Sequence, residues 1–167
     1  DENLDMPLVG MVTRLTHQKG IDLLRSRIED FIKDGKFRFA MIGSGDLDHQ
    51  RYFDQLSEKY PEFTIIYIGY NNALAHKVIA CSDYILMPSL FEPCGLTQLY
   101  AMKYGTIPIV RATGGLADTV QEYDYNTAEG TGFLFTHHTP VDMENAINKA
   151  LRYYEYQPHW DLMRKNA

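Results

Sequence analysis

PSLFEPCGLTQLYAMKYGTIPIVRATGGLA, residues 88–117, decides how this chain is read. The apolar run that leads into it, residues 83–87, has strand character. A proline-punctuated loop follows and holds a lone acid, Glu92. A small-residue turn, Cys94-Gly95, comes next, with a helix opening at about Leu96. A second apolar strand is expected over 106–110, ending in Arg111 and a Gly-Gly turn. A strand that feeds a loop and then a helix N-terminus leaves backbone N–H groups free, and such groups bind anions. Here a carboxylate stands beside the anion site and a cation stands one strand away. The pattern suits an anionic, hydroxyl-rich ligand such as a sugar nucleotide.

Outward from this stretch, strand-like and helix-like segments alternate. Apolar runs at 8–12, 37–42, 63–68 and 131–135 read as further strands. Segments 20–33, 47–60, 72–81, 116–121 and 140–156 read as helices, on apolar spacing and on stops such as Pro61. The strands are apolar on both faces, which places them inside a parallel sheet covered by helices. The expected fold class is therefore α/β, an open, Rossmann-like, doubly wound parallel sheet of about six strands. Ligands bind such sheets at the carboxyl ends of the strands. Arg14, the turn at Gly43, Tyr70, residues 88–92 and Arg111 all follow strand ends and share that edge. No internal repeat, linker or low-complexity segment interrupts the pattern, and residues 122–130 read as a polar loop.

A length of 167 residues fits one domain with a substantial core. Hydrophobic residues at 45% and charged residues at 23% are ordinary for a soluble globular chain. The net charge of −6 argues against a nucleic-acid or anionic-membrane partner. Any phosphate-binding cation must then be placed locally. Cys81 and Cys94 make no metal or redox spacing, so a reducing compartment is the default. No transmembrane or signal segment is expected. Twelve tyrosines favour a pocket or an interface without locating it.

Arg14 and Lys19 flank the loop TRLTHQKG after the first strand. Together they can grip both phosphates of a diphosphate and neutralise charge that grows as it leaves. Taken alone, solvated surface charge is the more ordinary reading of the two. Gly43-Ser44-Gly45 starts like a dinucleotide fingerprint but lacks the third glycine, Asp48 standing in its place. Asp46-Leu47-Asp48 matches a metal-holding Asp-x-Asp pattern. Both acids sit at a helix start, where caps and dipole-favoured acids are expected, and no metal is assigned to them. Tyr70 can stack on a nucleobase or sit half-buried at the sheet edge. Glu92 can accept from sugar hydroxyls or cap the following helix. Cys94 has no neighbouring His and reads as a small residue for a crowded loop, not a nucleophile. His137 and His138 are adjacent and would face opposite ways in a strand, which makes no metal site.

Together these residues resemble the bacterial glycogen synthases and plant starch synthases. The resemblance runs from about Val9 to the C-terminus. It rests on TRLTHQKGIDLL, IGSGD, IGYNNALAH, PSLFEPCGLTQLYAMKYGTIPIVRATGGLADTV and GTGFLF, of which the fourth is highly specific. Related retaining transferases carry a second Glu eight positions after the first. Tyr100 stands there, as in glycogen and starch synthases. The resemblance implies the carboxyl-terminal, nucleotide-sugar half of a two-domain GT-B glycosyltransferase, trimmed at both ends. The amino-terminal domain and the terminal crossing helix are then missing.

The resemblance further implies that Arg14 and Lys19 bind the diphosphate of ADP-glucose and that Tyr70 stacks on adenine. Glu92 and the backbone at Cys94 and Gly95 hold glucose hydroxyls. Leu96 and Thr97 meet phosphate or ribose. The roles of Arg111 and Gly114-Gly115 stay open. The implied reaction moves glucose from ADP-glucose to the non-reducing end of an α-1,4-glucan with retention, and needs no cofactor or metal. The compartment is cytoplasm in a bacterium or plastid in a plant. Two alternatives remain: UDP-glucose as donor, or a free-standing nucleotide-binding module. Lys19→Ala is expected to cut turnover about 100- to 1000-fold with little loss of fold.

Overall fold

The computed structural model describes residues 5–167. Six strands form one sheet: β1 (Leu8–Leu15), β2 (Arg38–Gly45), β3 (Thr64–Ile68), β4 (Tyr84–Met87), β5 (Ile107–Arg111) and β6 (Phe133–Phe135). Their order is β3-β2-β1-β4-β5-β6, and every pairing is parallel. The chain builds outward from β1 to β3, then returns to β4 on the other side of β1. That reversal is the topological switch point at which such sheets bind ligands. The doubly wound α/β class read from the sequence is the one observed.

Among the described residues eight α-helices cover the sheet: α1 (Ile21–Arg25), α2 (Ile28–Lys33), α3 (Leu47–Lys59), α4 (Asn72–Cys81), α5 (Thr97–Tyr104), α6 (Gly114–Thr119), α7 (Pro140–Glu155) and α8 (Gln157–Asn166). The central strands are buried on both faces, with Val9, Met11, Phe39, Met41, Leu86 and Ile109 in the main core. The edge strand β3 departs from that rule. Its Ile65 is 68% exposed and its Tyr67 is half exposed, because among the described residues no helix covers their face at that edge.

Two helical segments differ from the sequence reading. The expected helix over 20–33 is two short ones. Ser26 donates its hydroxyl to Leu23 O at 2.6 Å. Such a local bond competes with the helix ladder and favours a break. The second difference is α8, which the sequence pattern did not reveal. It buries Trp160 and Met163. Trp160 packs edge-on against Tyr84, with ring centroids 4.9 Å apart. The Tyr84 hydroxyl donates to Ala150 O in α7 at 2.6 Å, so β4, α7 and α8 lock together in the core. In α7, Thr139 caps the Asp142 N–H and Pro140 opens the first turn, while Met143, Ala146, Ile147 and Ala150 form the buried stripe. Among the described residues no helix is long and apolar enough to cross a membrane.

Candidate functional site

At the carboxyl ends of β1 and β4, on either side of the switch point, lies a cleft of about 360 Å³. Apolar side chains at the strand ends, such as Leu86 and Met87, form part of its lining. Arg14, Lys19, Ser89, Glu92 and the turn from Gly95 to Thr97 complete it. The sequence places these groups on two separate stretches, 11–19 and 86–97, and the parallel sheet delivers both to one edge.

Lys19 ends a one-turn 3-10 helix, His17–Lys19, directly after β1. Its Nζ lies 2.6 Å from Glu92 Oε2, and the two side chains are 17% and 9% exposed. The Ser89 hydroxyl donates to the same oxygen at 3.1 Å. Glu92 is therefore a buried, paired carboxylate. It caps no helix: the N-cap of α5 is Leu96, without a side-chain cap bond. The pair is part of a clasp between residues 16–20 and the loop after β4. Leu90 N–H donates to Gln18 O at 2.9 Å, and Gln18 Nε2 donates to Phe91 O at 3.3 Å. An ammonium has three donors, so Lys19 keeps two beyond its bond to Glu92. Arg14 is exposed on the cleft wall, and its guanidinium makes no hydrogen bond or ion pair among the described residues.

Arg111 has a different task. Its NH1 donates to Leu90 O at 2.7 Å, so it braces the loop instead of facing the cleft. The Gly-Gly turn after β5 also supports that loop. Gly115 N–H donates to Glu92 O at 3.0 Å. A Cβ on Gly115 would stand 1.9 Å from Cys94 O, so nothing larger than glycine fits there. Residues 88–117 thus form one packed unit, with two turns laid against each other.

Two expected site residues are not in the cleft lining. Tyr70 follows β3 and is 86% exposed, which also excludes the half-buried edge reading. Cys94 is exposed and its side chain does not line the cleft. Asp46 is the N-cap of α3 but makes no side-chain cap bond. Asp48 gives its carboxylate to Arg25 NH1 at 2.6 Å, and this contact holds its pKa below the usual carboxylate range.

The sequence did not single out Gln98 or Ser89. It considered His138 only beside His137, as a pair that makes no metal site. Of the adjacent histidines, His137 turns outward to Asp142 at 2.8 Å and His138 turns in. His138 Nε2 is buried with no partner among the described residues, and its ring stands 6.5 Å from that of His17. Burial, and then the nearby Arg111 cation, push its pKa down, while the Pro88 backbone nearby opposes them. His17 in turn bonds Asp22 at 2.7 Å and lowers that carboxylate's pKa.

A doubly wound parallel sheet that brings two cations, a buried acid and free backbone N–H groups to its switch point is an α/β domain with a cleft suited to an anion. The sequence matches the family described as glycosyl transferases group 1 over residues 1–165, and the chain belongs to that family. It is 49% identical over 166 residues to a glycogen synthase of Bacillus cereus, covering 99% of this chain and 35% of that protein. A glycogen synthase of Geobacillus thermodenitrificans is 45% identical over 98% of the chain and 33% of its own length. The chain therefore spans about a third of the curated relatives it matches. Among solved structures, the catalytic domain of starch synthase IV from Arabidopsis thaliana, bound to ADP and acarbose, superposes with a TM-score of 0.87. It is 36% identical and covers 97% of this chain and 34% of its own. A sucrose-phosphate synthase from Thermosynechococcus elongatus shares the fold, with a TM-score of 0.73 at 23% identity, over 97% of this chain and 40% of its own.

Proposed function

We propose that this chain is the donor-binding domain of a retaining glucosyltransferase that takes glucose from ADP-glucose and adds it to the non-reducing end of an α-1,4-glucan. The observation that carries this reading is the convergence of Arg14, Lys19, Glu92 and the turn at residues 95–97 on one cleft at the switch point. Two cations suit a diphosphate. A buried carboxylate and free N–H groups suit sugar hydroxyls and phosphate oxygens. The relatives named glycogen synthase and the starch synthase solved with ADP support the choice of chemistry. Arg14 and Lys19 then stabilise the departing ADP, and the acceptor attacks the oxocarbenium-like sugar from the same face. Tyr70, exposed after β3, is free to stack on the base. The acceptor side belongs to the rest of a longer protein, so this chain alone binds nucleotide weakly and transfers nothing. The parent works in a bacterial cytoplasm or a plastid.

Thermal unfolding with ADP-glucose and with UDP-glucose tests this. A ligand at 100 times its dissociation constant adds about 2.7 kcal/mol of apparent stability. At about 2–4 °C per kcal/mol for a domain of this size, that is a rise of roughly 5–11 °C. A rise with ADP-glucose alone is expected. A rise with UDP-glucose alone would change the donor, and a folded chain unmoved by either would sink the reading.

A further inference from the structure

Gln98 lies in the first turn of α5 and is 0% exposed. It does not line the cleft. Its Nε2 sits 3.1 Å from each of three oxygens: Cys94 O, Gly95 O and Thr119 Oγ1. The Thr119 hydroxyl already donates its proton to Gly115 O, so toward Gln98 it is an acceptor. Gln98 Oε1 is buried and has no partner among the described residues. The two ends of the amide are fixed by these contacts. The opposite assignment would set a carbonyl oxygen against three acceptors.

A trans peptide is planar, and its N–H and C=O point in opposite directions. The Cys94 carbonyl shares its plane with the Gly95 N–H, and the Gly95 carbonyl shares its plane with the Leu96 N–H. Drawing both carbonyls onto Gln98 turns both N–H groups away from it. Gly95 and Leu96 line the cleft, and neither N–H donates to a backbone group among the described residues. Gly95 is required for this seating. Its φ is +70°, and a Cβ there would lie 2.6 Å from Gln98 Oε1.

We propose that Gln98 is a positioning residue for the donor: without touching the ligand, it holds the loop so that the Gly95 and Leu96 N–H groups face the cleft as a fixed pair of donors. The inference rests on the nucleotide-sugar reading above. An oxyanion placed there meets donors that need no reorganisation, which is where preorganised amides are worth most. A leucine or methionine at position 98 would fill the same space, yet would strand two carbonyls and free the loop to turn.

ADP binding by calorimetry tests the proposal, with wild type beside Gln98→Met, which keeps length and loses the amide. Cooperative unfolding of each protein serves as the control for folding. Gln98→Met is expected to bind ADP about 10- to 100-fold more weakly while still folded, the scale of hydrogen bonds to a charged group. Gln98→Glu, which sets a carboxylate against the two carbonyls, should be at least as weak. In nitrogen-15 spectra of the wild type, ADP should move the Gly95 and Leu96 amide protons downfield. Folded Gln98→Met that binds ADP within twofold of wild type overturns the proposal and leaves the donor site standing. If the variants do not fold, the wild-type spectra decide: Gly95 and Leu96 amides unmoved by bound ADP overturn it. A wild type that binds no ADP overturns the donor reading itself.

Discussion

Replacing Lys19 with alanine probes the site and the fold at once. The contact from Lys19 Nζ to Glu92 Oε2 is 2.6 Å, between side chains that are 17% and 9% exposed. Without the ammonium, Glu92 keeps the Ser89 hydroxyl at 3.1 Å as its side-chain donor among the described residues. Breaking a buried pair from one side costs about 3–5 kcal/mol, since the surviving charge stays buried and uncompensated. This pair opens onto the cleft, so the lower end, about 3 kcal/mol, applies. At roughly 2–4 °C per kcal/mol, Lys19→Ala should melt about 6–12 °C below wild type. The sequence alone pointed to lost turnover with little loss of fold, and the geometry adds this stability cost. The assay is urea unfolding of Lys19→Ala and of Lys19→Ala/Glu92→Gln. The double variant removes the stranded charge and should regain more than half of the loss. A Lys19→Ala protein within about 0.5 kcal/mol of wild type, the range of an ordinary surface substitution, would refute the reasoning. So would a double variant no more stable than the single one, because the stranded carboxylate would then not be the cause.

Three further outcomes are expected. Gly115→Ala puts a methyl 1.9 Å from Cys94 O and should cost about 1–3 kcal/mol in denaturant unfolding. A gain, as when alanine replaces an unconstrained helical glycine, would count against the close approach. Tyr84→Phe deletes the donor to Ala150 O and should cost about 1–3 kcal/mol, and an unchanged midpoint would mean that water replaces the hydroxyl. His138 is held below its ordinary value of 6.5 in the fold, so the unfolded chain takes up the proton first as pH falls. Its contribution is therefore present above 6.5 and lost as pH drops through the folded-state value. His138→Phe should flatten the fall in stability between 6.5 and that lower value, and a slope identical to wild type would exclude His138 as its source.

The sheet was legible because a parallel core leaves a simple trace. Strands buried on both faces read as unbroken apolar runs, and the turns between them hold glycine, proline and short polar residues. The same rule failed at β3, where Ile65 is apolar yet exposed, because an edge position cannot be told from a central one by composition. The break between α1 and α2 was hidden for another reason. Its apolar spacing continues across Ser26, and the hydroxyl bond that ends the first helix leaves no periodic signal. Helix α8 holds a proline in its first turn and carries its two buried anchors, Trp160 and Met163, among polar residues. Trp160 packs against Tyr84, far away in β4, and against Tyr154 in α7, contacts that its own stretch of sequence does not announce.

The site divides in the same way between what is local and what is not. Glu92 stands out in the sequence as one acid between Phe91 and Pro93, and Lys19 stands out beside Arg14. Sequence proximity joined the two cations, whereas the fold joins Lys19 to Glu92 across 73 residues and leaves Arg14 unengaged among the described residues. That regrouping changes the division of labour to be expected of the cations. Lys19 is fixed in place by Glu92 and retains two N–H donors, so it can meet a phosphate oxygen without breaking the pair. Arg14, long, exposed and uncommitted, suits capture of a diphosphate arriving from solvent. On this reading, Arg14→Ala should weaken binding with little effect on stability, and Lys19→Ala should impair both. Equal stability losses in the two variants would return the cations to the single role read from their spacing.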